Sequence, residues 1–225
     1  MPFAFFVAGT DTEIGKTFTT CAFLHTARRA GLSAIGMKPV AAGAERIGER
    51  WVNEDAARLR AAGSVDPGLD DLNPICLRTA VAPHIAAAIE GARIEPAKIL
   101  DAFGRLSAQA DLVLVEGVGG FRVPLTDTFD TADLAVALKL PVILVVGMRL
   151  GCINHALLTA EAIAARGLTL AGWVANQIDP AMQRVTENLY ALQQHLGAPC
   201  LGHVPFQPDN DPAAVRTLVL PALTP

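Results

Sequence analysis

Residues 9–17, which read GTDTEIGKT, restrict the fold of this chain more than any other segment. They follow an apolar run at residues 3–7 and lead into a helical pattern at residues 17–30. A glycine-rich turn between a buried strand and a helix N-terminus lets backbone N–H groups surround phosphate oxygens. The segment therefore predicts a strand, a phosphate-binding loop and a helix in succession, although such a turn can also be purely structural.

Two side chains of this loop would act directly on a bound nucleotide. Lys16 can span the β- and γ-phosphates, and the Thr17 hydroxyl can bind Mg²⁺. The spacing departs from the common pattern, because five residues separate Gly9 from Gly15 where about four are usual. The residue types still fit the chemistry, so we predict a nucleotide site here.

The rest of the chain alternates between buried strands and helices. Apolar runs lie at residues 35–40, 112–115, 142–146, 170–175 and, more weakly, 200–204; helical patterns lie at residues 53–62, 96–108, 131–138, 154–166 and 182–196. This alternation predicts an α/β fold of the P-loop NTPase type, with a mostly parallel central sheet and helices on both faces. We predict a single P-loop domain over residues 1–225, with an irregular tail from residue 205.

Composition excludes several classes of protein. Hydrophobic residues make up 52% of the chain, but the richest apolar run, residues 134–148, contains Lys139 and Pro141 and falls short of the roughly 20 apolar residues of a membrane span. A net charge of −4 argues against nucleic acid as a partner. The four cysteines lack paired spacing, and no secretion signal opens the chain, so we predict a cytoplasmic location.

Two further charged residues stand at predicted strand ends, where parallel sheets bind their ligands. Glu116 ends the run at residues 112–115 and precedes three glycines, which makes it a candidate Mg²⁺ ligand or, alternatively, a capping carboxylate. Lys38 follows the strand that begins at residue 35 and precedes a proline. The pattern leaves two roles open for Lys38, an active-site cation and a solvated surface lysine.

Five separated segments together resemble the dethiobiotin synthetases. They are the loop at residues 9–17, GMKPV at 36–40, VEGVGG at 115–120, LGCINH at 150–155 and GWVAN at 172–176. The extra residue in the phosphate loop is itself characteristic of that family, so the unusual spacing supports the resemblance.

The resemblance implies an enzyme that uses ATP and Mg²⁺ to close the ureido ring of dethiobiotin from 7,8-diaminopelargonate and CO₂. It also implies roles for individual residues. The expected magnesium ligands are Thr17, Asp55 and Glu116, and the expected catalytic residues are Thr12, Lys16 and Lys38. The expected nucleotide-binding residues are Glu13, Ile14, Gly15, Lys16, Thr17, Phe18, Glu116, Gly119 and Asn176. The expected substrate-binding residues are Thr12, Lys38, Ala42, Gly151, Cys152, Ile153 and Asn154.

Three of these implied roles carry qualifications. Residues 151–154 would bind the substrate carboxylate across the interface of a homodimer, although their residue types alone also fit an ordinary helix cap. Ala42 stands where the family commonly has a hydroxyl residue, which removes one potential hydrogen bond. Asn176 would contact adenine, but residues 176–179 (NQID) also approximate the Asn-Lys-x-Asp pattern of guanine-binding proteins, so base selectivity stays open.

Two alternative functions share the predicted fold. A partitioning-type switch ATPase would carry an additional lysine early in the phosphate loop, and residues 10–12 contain none. A nucleotide-binding regulator without catalytic activity would differ from the synthetase in lacking substrate-dependent ATP hydrolysis.

Overall fold

The computed structural model describes residues 3–223. Its strands are β1 (Phe3–Gly9), β2 (Ala34–Met37), β3 (Val40–Ala41), β4 (Glu45–Ile47), β5 (Arg50–Val52), β6 (Ile75–Cys76), β7 (Leu112–Glu116), β8 (Val142–Met148), β9 (Leu170–Gln177) and β10 (Cys200–Val204). Its helices are α1 (Lys16–Arg29), α2 (Glu54–Ala62), α3 (Leu69–Leu72), α4 (Pro83–Glu90), α5 (Pro96–Ser107), α6 (Thr131–Leu138), α7 (Cys152–Ala165) and α8 (Val185–His195).

The central sheet holds six strands in the order β10-β9-β8-β1-β7-β2, and every neighbouring pair is parallel. Strands β7 and β8 are buried along their whole length, which explains why their sequences are continuous apolar runs rather than alternating ones. Because β1 lies between β7 and β8, the phosphate loop that follows β1 emerges beside the carboxyl ends of both neighbours. The sheet thus places the loop and Glu116 at one edge.

Helices cover both faces of the sheet, as the alternating pattern predicts. On one face, Phe23 and Leu24 of α1 and Leu59 of α2 pack against the strands. On the other face the core takes side chains from α4 to α8, among them Ile99 of α5 and Leu192 of α8. The predicted α/β fold with a parallel sheet and helices on both faces is confirmed. The domain bounds of 1–225 stay a prediction, because residues 1, 2, 224 and 225 lie outside the described part.

The predicted continuous strand at residues 35–40 is wrong. Strand β2 ends at Met37, and the chain then turns so that Val40 pairs with Ile75 in the separate β3–β6 pair. Pro39 has no N–H to donate to a sheet neighbour, while the Lys38 N–H donates to the Leu72 carbonyl at 2.8 Å. This break turns Lys38 away from the ladder and toward the carboxyl edge of the sheet.

Other differences concern short or irregular segments. The helix predicted at residues 182–196 begins only at Val185, after a turn in which Arg184 adopts a positive φ of 56°. The hairpin β4–β5 and the helices α3 and α4 were not predicted. For α4 the sequence did hold a signal, since Pro83 stands at its start and Gly91 ends it with φ 62°.

The segment after β10 is irregular, as predicted, apart from a short 3₁₀ turn at Pro212–Ala214. It nevertheless packs firmly: Val215 and Leu218 are buried in the core beneath α1, and the Arg29 guanidinium donates to the Val215 carbonyl at 2.9 Å. Among the described residues, no helix has the length and apolar character needed to cross a membrane.

Candidate active site

The phosphate loop joins β1 to α1 through a backbone that requires glycine at residue 15. Gly15 has φ 77°, and a side chain there would overlap the amide of Asn176. That amide donates to the Ile14 carbonyl at 2.8 Å, while the Ile14 side chain lies buried against Gly147 of β8. Ile14 therefore offers a ligand only its backbone, and Asn176 helps to hold the loop in shape.

Asp11 ties the tip of the loop to the end of β8. Its carboxylate accepts hydrogen bonds from the Thr12 N–H at 2.8 Å and from the Arg149 guanidinium at 2.5 Å. Its backbone carbonyl accepts a hydrogen bond from the Lys16 ammonium at 2.9 Å. Thr10 adds another link, because its hydroxyl oxygen accepts from the Gly147 N–H at 3.3 Å. No motif in the sequence indicated this role of Arg149.

A buried charged cluster lies beside the loop. Met37 pairs with Val115 in the sheet, so the residues that follow, Lys38 and Glu116, stand next to each other. The Lys38 ammonium donates to Glu116 Oε1 at 2.6 Å and to Asp55 Oδ2 at 2.7 Å. The Lys38 side chain is 4% exposed, so its interpretation as a solvated surface lysine is wrong.

Neighbouring charges shift the pKa of Lys38 and of Asp55 in this cluster. Burial by itself would lower the pKa of Lys38, but the Glu116 and Asp55 carboxylates outweigh that effect and raise it. Burial pushes the pKa of Asp55 upward, yet the Lys38 ammonium beside it holds the pKa below its usual range. Among residues 3–223, no carboxylate forms an ion pair with Lys16. Burial lowers the pKa of Lys16 to about 8, and the positive charge of Lys38 acts in the same direction.

The predicted magnesium ligands lie together in this cluster. The Thr17 hydroxyl donates to Glu116 Oε1 at 2.7 Å, and Lys38 bridges Glu116 and Asp55. Within residues 3–223, the buried Oε2 of Glu116 has no hydrogen-bond partner. A buried carboxylate oxygen without a donor suits a hard cation, as do the two neighbouring oxygen groups. The residues present therefore fit Mg²⁺. Elsewhere in the described chain, no group of three or more His, Cys, Asp or Glu side chains could hold a metal ion.

A cavity of about 780 Å³ opens above the loop and the cluster. The predicted site residues that line it are Thr12, Glu13, Gly15, Lys16, Thr17, Phe18, Lys38, Ala42, Asp55, Glu116 and Gly119. Residues far apart in the sequence thus share one chamber. Sequence reasoning missed other lining residues, namely Arg58, the turn at residues 80–83, Val118, Val123 and Asn210.

A second cavity of about 300 Å³ adjoins the first, and Phe18 and Asn210 line both. Its other walls include Asn176 at the end of β9 and Pro205 to Gln207 just after β10. For these residues after β10, the sequence pattern predicts only an irregular tail. Their position directly after a buried strand was the available signal, since ligands of parallel sheets bind at the carboxyl ends of strands.

In the pattern at residues 176–179, Asp179 does not line the second cavity of the described chain. The Asp179 carboxylate accepts a hydrogen bond from the Ala181 N–H at 2.8 Å and so closes its own turn. Its backbone carbonyl accepts from the Gln177 side chain at 3.3 Å. Asn176, by contrast, lies in the wall of the second cavity.

The turn at residues 151–154 lies apart from both cavities in the described chain. Gly151 has φ 96° and precedes the first residue of α7, so the predicted glycine-led helix start is present. The Cys152 side chain is buried and its Sγ donates to Asn188 Oδ1 at 3.9 Å, whereas Asn154 is exposed. The structure does not bring this turn into the same chain's phosphate site.

Comparisons with known proteins concern first the fold and then the sequence. A protein-family model described as an AAA domain matches residues 4–214. In solved structures, the chain is similar to a ParA family ATPase from Chlorobium tepidum (TM-score 0.58, 11% identity, 93% of this chain and 87% of that one). It is also similar to the septum site-determining protein MinD from Pyrococcus horikoshii (TM-score 0.57, 15% identity, 92% and 83%). At such identities these likenesses concern the fold alone.

Curated relatives are far more similar in sequence. A protein of Aromatoleum aromaticum named ATP-dependent dethiobiotin synthetase BioD is 72% identical over 214 residues, which cover 95% of each chain. A protein of the same name from Xanthomonas oryzae pv. oryzae is 54% identical over 213 residues, again 95% of each chain. Both matches cover nearly the whole chain. The chain therefore belongs to the ATP-dependent dethiobiotin synthetase family.

Proposed function

We propose that this chain is an ATP-dependent dethiobiotin synthetase, a carbon–nitrogen ligase of biotin biosynthesis. Its substrates are 7,8-diaminopelargonate, CO₂ and ATP, and its products are dethiobiotin, ADP and phosphate. The observation that carries the proposal is the 72% identity to a relative of that name over 95% of both chains. The cavity supports it, because one chamber combines a phosphate loop with a buried lysine and two carboxylates.

The proposed reaction has three steps. One amino group of the diamine adds to CO₂ and loses a proton, which gives a carbamate. A carbamate oxygen then attacks the γ-phosphorus of ATP, and ADP leaves. The second amino group attacks the carbonyl carbon of the mixed anhydride, phosphate leaves, and the ureido ring closes.

Lys16 and Lys38 would stabilise the negative charge that these steps place on oxygen. Lys16 heads α1, where the first-turn N–H groups also favour an anion, and Lys38 stands a short distance across the cavity at the end of β2. Fixed cations in a buried site stabilise a phosphoryl-transfer transition state far more than they would in water. Thr12, at the cavity wall beside Gly119, would orient the carbamate or the γ-phosphate.

Mg²⁺ would be held by Thr17, Asp55 and Glu116, with phosphate oxygens and water as its remaining ligands. When bound, it would neutralise charge on the β- and γ-phosphoryl oxygens. Asp55 and Glu116 now share the Lys38 ammonium, so a change of partner at these carboxylates would leave Lys38 available to the carbamate.

The adenine of ATP would occupy the second cavity. Asn176 reaches it from β9, and the segment after β10 supplies Pro205 and Phe206 as apolar walls. Glu13, Gly15 and Phe18 line both cavities, which provides a continuous path for a triphosphate between base and γ-phosphate.

The active unit would be a homodimer whose substrate site is shared. The turn at residues 151–154 would offer N–H groups at the start of α7 to a carboxylate, yet within residues 3–223 it lines neither of the two cavities described above. Leu150 beside it is 95% exposed and Leu158 on α7 is 57% exposed. Exposed apolar residues of this kind are typical of a protein–protein interface. We also propose a cytoplasmic location, because the four cysteines are all unpaired thiols.

One incubation tests the proposal directly. The protein is mixed with 7,8-diaminopelargonate, bicarbonate, ATP and Mg²⁺, and the products are analysed by mass spectrometry. We expect dethiobiotin to accumulate together with one ADP for each molecule formed, and ADP release to require the diamine. Equal ADP release without the diamine would instead favour a switch ATPase, and nucleotide binding with no turnover would favour a regulator.

A further inference from the structure

Arg58 lines the main cavity, although neither the sequence motifs nor the family resemblance gave it a role. It lies on α2 one helical turn after Asp55, and its side chain is 31% exposed. Residues three apart on a helix lie on the same face, so Arg58 and Asp55 both project toward the chamber that holds Lys16 and Thr17.

The charges of the cavity give Arg58 a distinct position. The charged residues in its wall are the cations Lys16, Lys38 and Arg58 and the carboxylates Glu13, Asp55 and Glu116. Lys38 already binds Asp55 and Glu116, so its charge is compensated. The carboxylate nearest to the Arg58 guanidinium is Glu54, at 3.8 Å and 84% exposed, which is a weak pair that a ligand can replace.

Arg58 shares the main cavity with the first turn of α1, since Lys16, Thr17 and Phe18 line it as well. Phe18 lines both cavities, and α2, which carries Arg58, packs against α1. N–H groups in the first turn of a helix after a phosphate loop point at phosphate oxygens. Arg58 therefore lines the chamber that a polyphosphate chain bound to these N–H groups would occupy.

The chemistry of the ligands favours the same assignment. The diamine substrate carries positive amino groups before it reacts with CO₂, and a guanidinium would repel them. A nucleotide polyphosphate is anionic and presents paired oxygens that match the two-pronged geometry of a guanidinium. We infer that Arg58 is an additional phosphate-binding residue that strengthens nucleotide binding in this chain. The inference rests on the proposed use of ATP.

Calorimetric titration of Mg²⁺ with ADP, and separately of tripolyphosphate, into three variants tests it. Arg58→Gln should weaken the binding of both ligands by about ten-fold, the loss of one charge-assisted contact. The affinities of Arg58→Lys should lie between those of Arg58→Gln and of the unmodified protein, because lysine keeps the charge without the paired donors. Arg60→Gln is the matched control, since Arg60 lies on the same helix but pairs with Asp66 at 2.5 Å.

Glu54→Gln separates phosphate binding from helix stability. If Arg58 serves only its pair with Glu54, then Glu54→Gln and Arg58→Gln should lower the melting temperature equally. Both variants would then bind ADP and tripolyphosphate as tightly as the unmodified protein does, and that result would overturn the inference. A raised KM for the diamine with unchanged ADP binding in Arg58→Gln would also overturn it, because Arg58 would then serve the substrate. ADP binding does not depend on ring closure, so a failed dethiobiotin assay would not affect this test.

Discussion

Lys38 and Glu116 at the carboxyl edge of the sheet are buried and in contact, whereas Leu150 beside the start of α7 is 95% exposed. Buried charges are stable only when they are paired, so the first region is organised completely within one chain. The turn at residues 151–154 begins α7, but within residues 3–223 it lines neither of the two cavities. The difference is that the charged cluster has its partners within one chain, whereas under the proposed function the α7 turn would act on a site of the other subunit.

The largest expected effect comes from removing Lys38, the cation of the buried charged cluster. Lys38→Met would leave Glu116, which is fully buried, without its ammonium partner. We expect the free energy of unfolding to fall by about 3–5 kcal/mol and turnover to fall more than ADP affinity. Urea unfolding and ADP titration measure the two effects.

Two further variants serve as controls for Lys38→Met. The double variant Lys38→Met with Glu116→Gln removes the unpaired charge, so it should regain most of the stability but none of the turnover. Lys98→Met removes an exposed lysine whose partner Glu95 is 3.4 Å away, and it should change stability by less than about 0.5 kcal/mol. A stable, active Lys38→Met protein would show that the buried cluster does not depend on this ion pair.

Lys16 gives the next largest effect, and it depends on pH. Because burial lowers its pKa to about 8, the ammonium that a phosphate needs is present below pH 8 and is lost as the pH rises above it. The Kd for ADP should therefore stay level up to about pH 8 and then rise by up to about ten-fold per pH unit.

Lys16→Gln serves as the reference for this titration. It should bind ADP roughly ten- to one-hundred-fold more weakly at pH 7, and its Kd should not show the rise above pH 8. A rise of equal size in both proteins would assign the pH dependence to some other group.

A smaller effect is expected at the α7 turn. Asn154→Ala should raise the KM for 7,8-diaminopelargonate by about ten-fold, the loss of one hydrogen bond to a carboxylate, while the Kd for ADP stays unchanged. Asn154 is exposed, so the stability of the single chain should not change.

Mixing two variants sharpens the test of a shared site. Lys16→Ala and Asn154→Ala subunits damage opposite halves of the proposed composite site, so a mixed dimer would hold one intact copy. At a diamine concentration well below KM, where the Asn154→Ala sites contribute little, an equal mixture should recover about one quarter of the unmodified activity, since about half of the dimers are mixed and each has one working site. No recovery in verified mixed dimers, or full activity in a monomer, would refute the shared site.

The smallest effect concerns the link between the two regions. Arg149 lies just before the α7 turn and bonds Asp11 of the phosphate loop at 2.5 Å, but both side chains are more than two-fifths exposed. A double-mutant cycle with Asp11→Asn and Arg149→Gln, read as ADP affinity, should give a coupling energy of about 0.5–1 kcal/mol. The same cycle on the exposed pair Arg184–Glu187 should give none. Zero coupling in both cycles would show that the two regions are independent.

The elements that could be predicted from sequence are those with local periodic or positional signals. The buried strands β7 and β8 are continuous apolar runs, and the phosphate loop is a contiguous motif, so each was found where it lies. The break after Met37 was missed because the bonds that hold Lys38 come from Leu72 and Asn73, more than thirty residues away. The loop at residues 205–210 was missed because its composition is that of any polar tail.

The sequence by itself determined the strand–loop–helix unit, the α/β class and membership of the dethiobiotin synthetase family, since these depend on short motifs and on the spacing of apolar residues. Only the tertiary structure decided that Lys38 lies between Asp55 and Glu116, and that Arg58 and Asn210 face the same cavity. The physical reason is strand order. The arrangement β2-β7-β1 brings together side chains separated by up to about one hundred residues, and no local pattern encodes which strands become neighbours.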